Sequence, residues 1–138
     1  MHKIRKLLAQ LYASENVESI LNQIENLLDN YRRKSKSSSV FSEDDVALIC
    51  YGDSFRSPGK PPLQILHEFL VQYLNDSIYI IHLLPFFPYT SDDGFSVIDY
   101  KSVNSNISDW SDIENLSKSY DLIIDAVVNH ISVKSKWF

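Results

Sequence analysis

Ile78-Tyr79-Ile80-Ile81-His82-Leu83-Leu84, closed by Pro85, is the stretch whose reading decides the fold. Seven residues are too few for a stable helix. Their apolar character is continuous rather than alternating, the mark of a strand buried on both faces of a parallel sheet. Pro85 has no N–H to give a ladder and ends the run. Two further runs share this character. Val46-Ala47-Leu48-Ile49-Cys50-Tyr51 stops at Gly52, and Leu122-Ile123-Ile124-Asp125-Ala126-Val127-Val128 leads into Asn129-His130. Between the first two, Pro61-Pro62 opens a segment with Leu63, Leu66, Phe69, Leu70, Tyr73 and Leu74 on one helical face. Between the second and third, a Phe/Pro/Asp-rich loop leads to a short helix, capped by Asp109 or Ser111 and carrying Trp110, Ile113 and Leu116. Strand, helix, strand, helix, strand is a βαβαβ unit with right-handed crossovers, and the class is α/β.

Composition narrows what such a unit can be. The chain has 138 residues, 44% hydrophobic and 22% charged, with a formal net charge of −5. That excludes a disordered polymer and a generally basic nucleic-acid binder. No apolar stretch approaches the ~20 residues that cross a bilayer. Lys3, Arg5 and Lys6 precede Leu7, Leu8 and Leu11 in the manner of a leader, but Gln10 and Tyr12 interrupt the apolar stretch, and the expectation is a cytoplasmic protein. The single cysteine, Cys50, sits within the first run and reads as a small buried residue. With three glycines, Gly52, Gly59 and Gly94, there is no G-x-G-x-x-G and no Walker A loop, so a nucleotide-binding half-domain is a poor reading. A complete (β/α)₈ barrel takes about 250 residues, far more than are present.

Upstream of the α/β pattern the period changes. Val17, Ile20, Leu21, Ile24, Leu27, Leu28 and Tyr31 recur at helical spacing, and residues 1–34 read as a helical extension with Ser14 as a cap for its second part. Arg32-Arg33-Lys34 suits the end of that helix, complementing its dipole. Residues 35–45, beginning Ser35-Lys36-Ser37-Ser38-Ser39, form a polar linker, and residues 46–138 carry the α/β unit.

In parallel α/β architectures ligands bind at the carboxyl ends of the strands. Tyr51-Gly52-Asp53-Ser54 follows the first strand, Ser91-Asp92-Asp93-Gly94-Phe95 comes after the second, and Asn129-His130 ends the third. Acids, aromatics and a histidine on one rim suit a polyhydroxylated ring. On spacing alone, the same residues read equally well as helix caps and a turn histidine.

The motifs carry a resemblance. Asp125-Ala126-Val127-Val128-Asn129-His130 resembles the D-x-x-x-N-H first conserved region of the α-amylase superfamily, glycoside hydrolase family 13. Leu83-Leu84-Pro85-Phe86-Phe87-Pro88, with Asp92-Asp93-Gly94-Phe95 and Asp99-Tyr100, is similar to the second-strand segment of its sucrose phosphorylase branch, as are Tyr51-Gly52-Asp53 and Trp110. The N-terminal extension is similar to glucosylglycerate phosphorylase-type members. The fold so implied is the first three βα units of a (β/α)₈ barrel, incomplete and preceded by the helical extension. The resemblance implies that Asp92 and His130 bind hydroxyls of a glucosyl unit and that Phe95 is the platform beneath it. Asp125 is expected to be structural. Asn129 matches a calcium-binding residue of many amylases, but this branch is not generally calcium-dependent, so no metal is expected. Phe86 and Phe87 are expected to be packing residues, and Trp137-Phe138 a buried helix start.

The family reaction needs a nucleophilic aspartate in an R-x-D pattern and a glutamic acid on later strands. None of the arginines, Arg5, Arg32, Arg33 and Arg56, begins R-x-D, so no catalytic residue is assigned. The expectation is therefore an N-terminal fragment, inactive alone, that contributes donor-subsite residues to a retaining phosphorylase acting on an α-glucoside such as sucrose or glucosylglycerate. Inorganic phosphate would be its co-substrate, with no cofactor. The missing C-terminal part of the same enzyme would be its partner, with no nucleic acid or membrane involved. The alternatives are a fragment of an α-amylase-type hydrolase and a non-catalytic sugar-binding domain. Open sheet edges in a third of a barrel weigh against the last.

Overall fold

The computed structural model describes residues 2–12, 14–31, 45–75 and 77–138. They belong to two compact units, Met1–Val40 and Phe41–Phe138. In the first, α1 (His2–Leu11) packs on α2 (Ser14–Tyr31). The helical extension read from the sequence is thus two helices, the second beginning at Ser14. Val17 and Leu21 are buried, Arg5 pairs with Glu18, and Leu27 and Leu28 at the far end of the same stripe are exposed. The Arg32-Arg33-Lys34 cluster and residues 35–44 of the linker lie outside the described residues, as does the side chain of Ser14.

The second unit is a three-stranded parallel sheet in the order β1 (Ala47–Cys50), β2 (Ile80–Leu83), β3 (Asp121–Ile124). Helix α3 (Pro62–Tyr73) links β1 to β2 and α4 (Trp110–Ser119) links β2 to β3. Register is set in rows: Leu48, Ile81 and Leu122 align, as do Ile49, His82 and Ile123. Because side chains alternate along a strand, the two rows face opposite sides. The Leu48–Ile81–Leu122 row packs into the core with Leu63, Leu66 and Leu70 of α3 and Ile113 and Leu116 of α4. Leu63, Leu66 and Leu70 are fully buried, and each contributes about 1.5–3 kcal/mol by leaving water.

Three local devices hold the helices. Pro62 opens α3 with its φ preset, and the Leu63 N–H donates to the Ile107 carbonyl (3.3 Å), pinning the helix start to the loop before α4. Asp109 is the N-cap of α4, its carboxylate accepting from the N–H groups of Ser111 and Asp112. The Ser111 hydroxyl and N–H hold the Asp109 carboxyl below the usual aspartate range. Gln64 Nε2 donates to the Asp112 carboxylate (3.0 Å), joining the two helices.

The structure departs from the sequence reading in three places. Helices cover one face of the sheet, not both: Ile49 is 62% and Ile123 46% exposed on the other. The third run is a strand only over Asp121–Ile124, because β2 ends at Leu83 before Pro85 and offers no ladder to residues 125–128. Trp137-Phe138 is not a buried helix start. Trp137 is half exposed and stacks on Tyr100 (centroids 5.6 Å, 10°), and Phe138 is exposed.

Candidate functional site

The rim at the carboxyl ends of the strands is built around one folded loop. After β2 the chain crosses Phe86 and Phe87, both buried in the core as the sequence reading expects. Residues 88–98 then close on themselves. Tyr89 bridges Val97, the Thr90 N–H donates to the Ser96 carbonyl (3.0 Å), and the Ile98 N–H to the Pro88 carbonyl (2.7 Å). At the tip, Asp92–Gly94 make one 3₁₀ turn, and the Phe95 N–H donates to the Asp92 carbonyl (2.9 Å). Gly94 has φ +103, and a Cβ there would lie 2.8 Å from the Pro85 carbonyl oxygen. Only glycine lets the loop tip fold this closely onto the end of β2.

The segment after β3 is held against this loop by contacts that sequence reasoning did not single out. The Tyr100 hydroxyl donates to the Val127 carbonyl, and its ring meets Phe87 edge-on (5.4 Å, 67°). Ser132, almost fully buried, donates its N–H to the Val97 carbonyl (2.9 Å), and its hydroxyl bonds to that of Thr90 (2.8 Å). His82 Nε2 lies 3.2 Å from Asp125 Oδ2, which ties β2 to the end of β3 on the open face of the sheet. A polar residue inside an otherwise apolar strand was the available signal for His82. Nothing in the sequence marked Ser132.

These contacts leave a cleft of ≈260 Å³ lined by Phe95, Asp125, Ala126, Val127, Asn129 and His130. Phe95 and His130, 35 residues apart in sequence, therefore share one site. The aromatic ring offers a flat apolar face, and imidazole and amide groups offer donors and acceptors to hydroxyls. Asp92 is exposed with φ +60, and it is not among the residues lining this cleft. Neighbouring carboxylates have plain structural work. Asp99 accepts from the Ser102 hydroxyl (2.6 Å) and the Lys101 N–H (2.9 Å), and these bonds hold it below the usual aspartate range. Burial pushes the Cys50 thiol up, which keeps it protonated and poorly nucleophilic. Among the described residues no three His, Cys, Asp or Glu side chains converge as a metal site would require. No helix among them is long and apolar enough to cross a membrane.

A larger cleft of ≈440 Å³ lies beside the first on the same rim. It runs between the loops after β1 and β2, and its lining includes Tyr51, Asp53, Tyr89 and Asp93.

A parallel sheet in sequential order, with its aromatic, acidic and imidazole side chains at the carboxyl rim, matches the opening units of a (β/α)₈ barrel. The chain belongs to the glucosylglycerate and sucrose phosphorylase branch of the α-amylase superfamily, glycoside hydrolase family 13. It is 40% identical over 99% of its length to the glucosylglycerate phosphorylase of Spirochaeta thermophila, of which it spans 24%. Against the sucrose phosphorylase of Streptococcus mutans it is 45% identical over 66% of its length, spanning 18% of that protein. The crystal structure of sucrose 6F-phosphate phosphorylase from Thermoanaerobacter thermosaccharolyticum superposes with a TM-score of 0.63 at 34% identity, covering 72% of this chain and 20% of that one. No family model matches the chain. The chain thus spans about a quarter or less of these relatives, and it aligns with their N-terminal portion.

Proposed function

We propose that these 138 residues form the donor-sugar side of a retaining α-glucosyl phosphorylase acting on an α-glucoside such as sucrose or glucosylglycerate. The observation that carries this is the placement of Phe95 and His130 in one cleft at the strand ends, in a chain 40% identical to a glucosylglycerate phosphorylase. In this reading Phe95 supports the glucosyl ring, and His130 hydrogen-bonds its hydroxyls. The Asp92 carboxylate engages hydroxyls from the loop tip. These contacts tighten as the ring flattens toward an oxocarbenium ion. Asp125 and Asn129 shape the floor of the cleft, with Asp125 tethered to His82.

The nucleophilic carboxylate and the proton donor come from the part of the relatives that this chain does not span. The acid protonates the departing glycosidic oxygen while the nucleophile bonds to the anomeric carbon. Inorganic phosphate, a co-substrate rather than a resident cofactor, then displaces the enzyme carboxylate to give α-glucose 1-phosphate. Residues 1–34 act as a helical extension joined through the 35–45 linker to the barrel portion, 46–138, and the protein works in the cytoplasm.

A chimera tests the reading, with these residues replacing the corresponding segment of the Spirochaeta thermophila relative. It should release glucose 1-phosphate from glucosylglycerate only when phosphate is supplied. Asp92→Ala and His130→Ala should each lower kcat/KM by roughly 10²-fold or more without loss of fold. A correctly folded variant with unchanged turnover would remove that residue from the donor site. Hydrolysis without phosphate dependence would overturn phosphorolysis.

A further inference from the structure

The 440 Å³ cleft beside the donor site is within the roughly 300–1,000 Å³ of small-molecule sites, and it shares no lining residue with the Phe95–His130 cleft. Its chemistry is mixed. Tyr51 and Tyr89 present aromatic rings, and Asn104 and Asn106 present amides. Asp53 and Asp93 contribute two carboxylates against one cation, Arg56. That cation is already engaged, since the Arg56 guanidinium donates to Asp53. Asp93 is therefore an uncompensated negative charge at the cleft. Among the described residues its carboxylate makes no hydrogen bond, nor do the Tyr51 and Tyr89 hydroxyls or the Asn106 amide group. Asn104 is partly committed, its Oδ1 accepting from the Asn106 N–H (3.0 Å).

This balance discriminates between ligand classes. A phosphate or carboxylate would meet Asp93 with no free cation to offset the repulsion. A neutral polyol has hydroxyls to donate to Asp93, hydroxyls to pair with the amides and phenols, and apolar C–H faces to lie on a tyrosine ring. We propose that this cleft is a second carbohydrate subsite, binding a neutral hexopyranose unit separately from the glucosyl donor. Asp93 and Asn106 orient the ring's hydroxyls and Tyr89 packs against its face. Asp92 and Asp93, adjacent in sequence, thereby serve different sugars.

Nuclear magnetic resonance titration of the whole 138-residue chain with maltose, and separately with inorganic phosphate, tests this. Maltose should shift the Asn104 and Asn106 side-chain amide and Tyr89 ring resonances, with phosphate leaving them in place. Asn106→Ala and Asp93→Asn should each weaken that binding about tenfold, and Tyr89→Phe should weaken it less than Tyr89→Ala. Phe95→Ala should leave it unchanged, which separates this site from the donor site. The proposal is overturned if maltose shifts only Phe95 and His130 resonances, if it shifts none, or if phosphate shifts the cleft resonances instead. Should the isolated chain aggregate, the chimera described above carries the same labels, and the same outcomes decide.

Discussion

Gly94→Ala is the substitution whose cost can be worked out most fully from the structure. Gly94 is buried, with φ +103, beyond the small left-handed region open to other residues. An L side chain there carries a backbone penalty of roughly 1–2 kcal/mol. Its Cβ would also stand 2.8 Å from the Pro85 carbonyl oxygen and 3.2 Å from Pro85 Cβ, and these atoms belong to a rigid proline at the end of β2. Relief requires distortion, and a bond-angle change of ∼7° alone costs about 1 kcal/mol. The sum is about 2–3 kcal/mol. Gly59 provides the control: it also has positive φ (+83), but nothing lies within 4 Å of its would-be Cβ. Gly59→Ala should cost only the backbone penalty, about 1–2 kcal/mol. Urea unfolding of both variants, compared at a common m-value, measures the difference. In the chimera, Gly94→Ala should also lower kcat/KM, because the displaced loop tip carries Phe95 away from His130. Equal stabilities for the two variants would refute the close-approach argument, and an unaltered kcat/KM would refute the link from loop tip to site.

Three further outcomes follow from named contacts. Asp109→Ala removes the α4 cap and should lower the urea midpoint of unfolding. Because its hydrogen bonds lower the Asp109 pKa in the folded state, the stability it contributes is present above the ordinary aspartate pKa and is lost as pH falls through the lower folded value. The variant should accordingly show a smaller loss of stability in that acidic window than the parent. Tyr120 is 4% exposed, and its hydroxyl has no hydrogen-bond partner among the described residues. Tyr120→Phe should be neutral or raise stability by up to about 1 kcal/mol, and a loss beyond that would show that the hydroxyl is satisfied. Asp125→Ala removes the acceptor facing His82 and should cost about 1 kcal/mol, whereas Asp125→Asn, still able to accept, should cost less; equal losses would show that the carboxamide cannot replace the carboxylate.

The alternation of strands and helices was legible because it depends on local physics. Continuous apolar runs closed by Gly52 or Pro85, a Pro61-Pro62 helix start and the Asp109 cap each impose their element within a few residues. Strand direction put Phe95 and His130 on the rim, but it was the resemblance of the D-x-x-x-N-H and Asp-Gly-Phe motifs to a known family that singled them out as sugar-binding residues. The extent of β3 was not legible. An apolar run continues to Val128, but a strand persists only while a neighbour offers a ladder, and β2 stops at Leu83. Nor could sequence show which sheet face is covered, because Ile49 and Ile123 look as buriable as Leu48 and Leu122.

What the sequence by itself determined is the class of the unit, its element order and the chemical kind of its rim. Tertiary structure decided which rim residues meet. Tyr100 reaching the Val127 carbonyl, Ser132 bonding to Val97 and Thr90, and Gly94 resting on Pro85 bring Phe95 beside His130 and leave Asp93 in a different cleft from either. The reason is geometric: a residue's chemistry is carried by its own atoms, but a site needs distances between residues far apart in the chain. Those distances are set only when the loops pack.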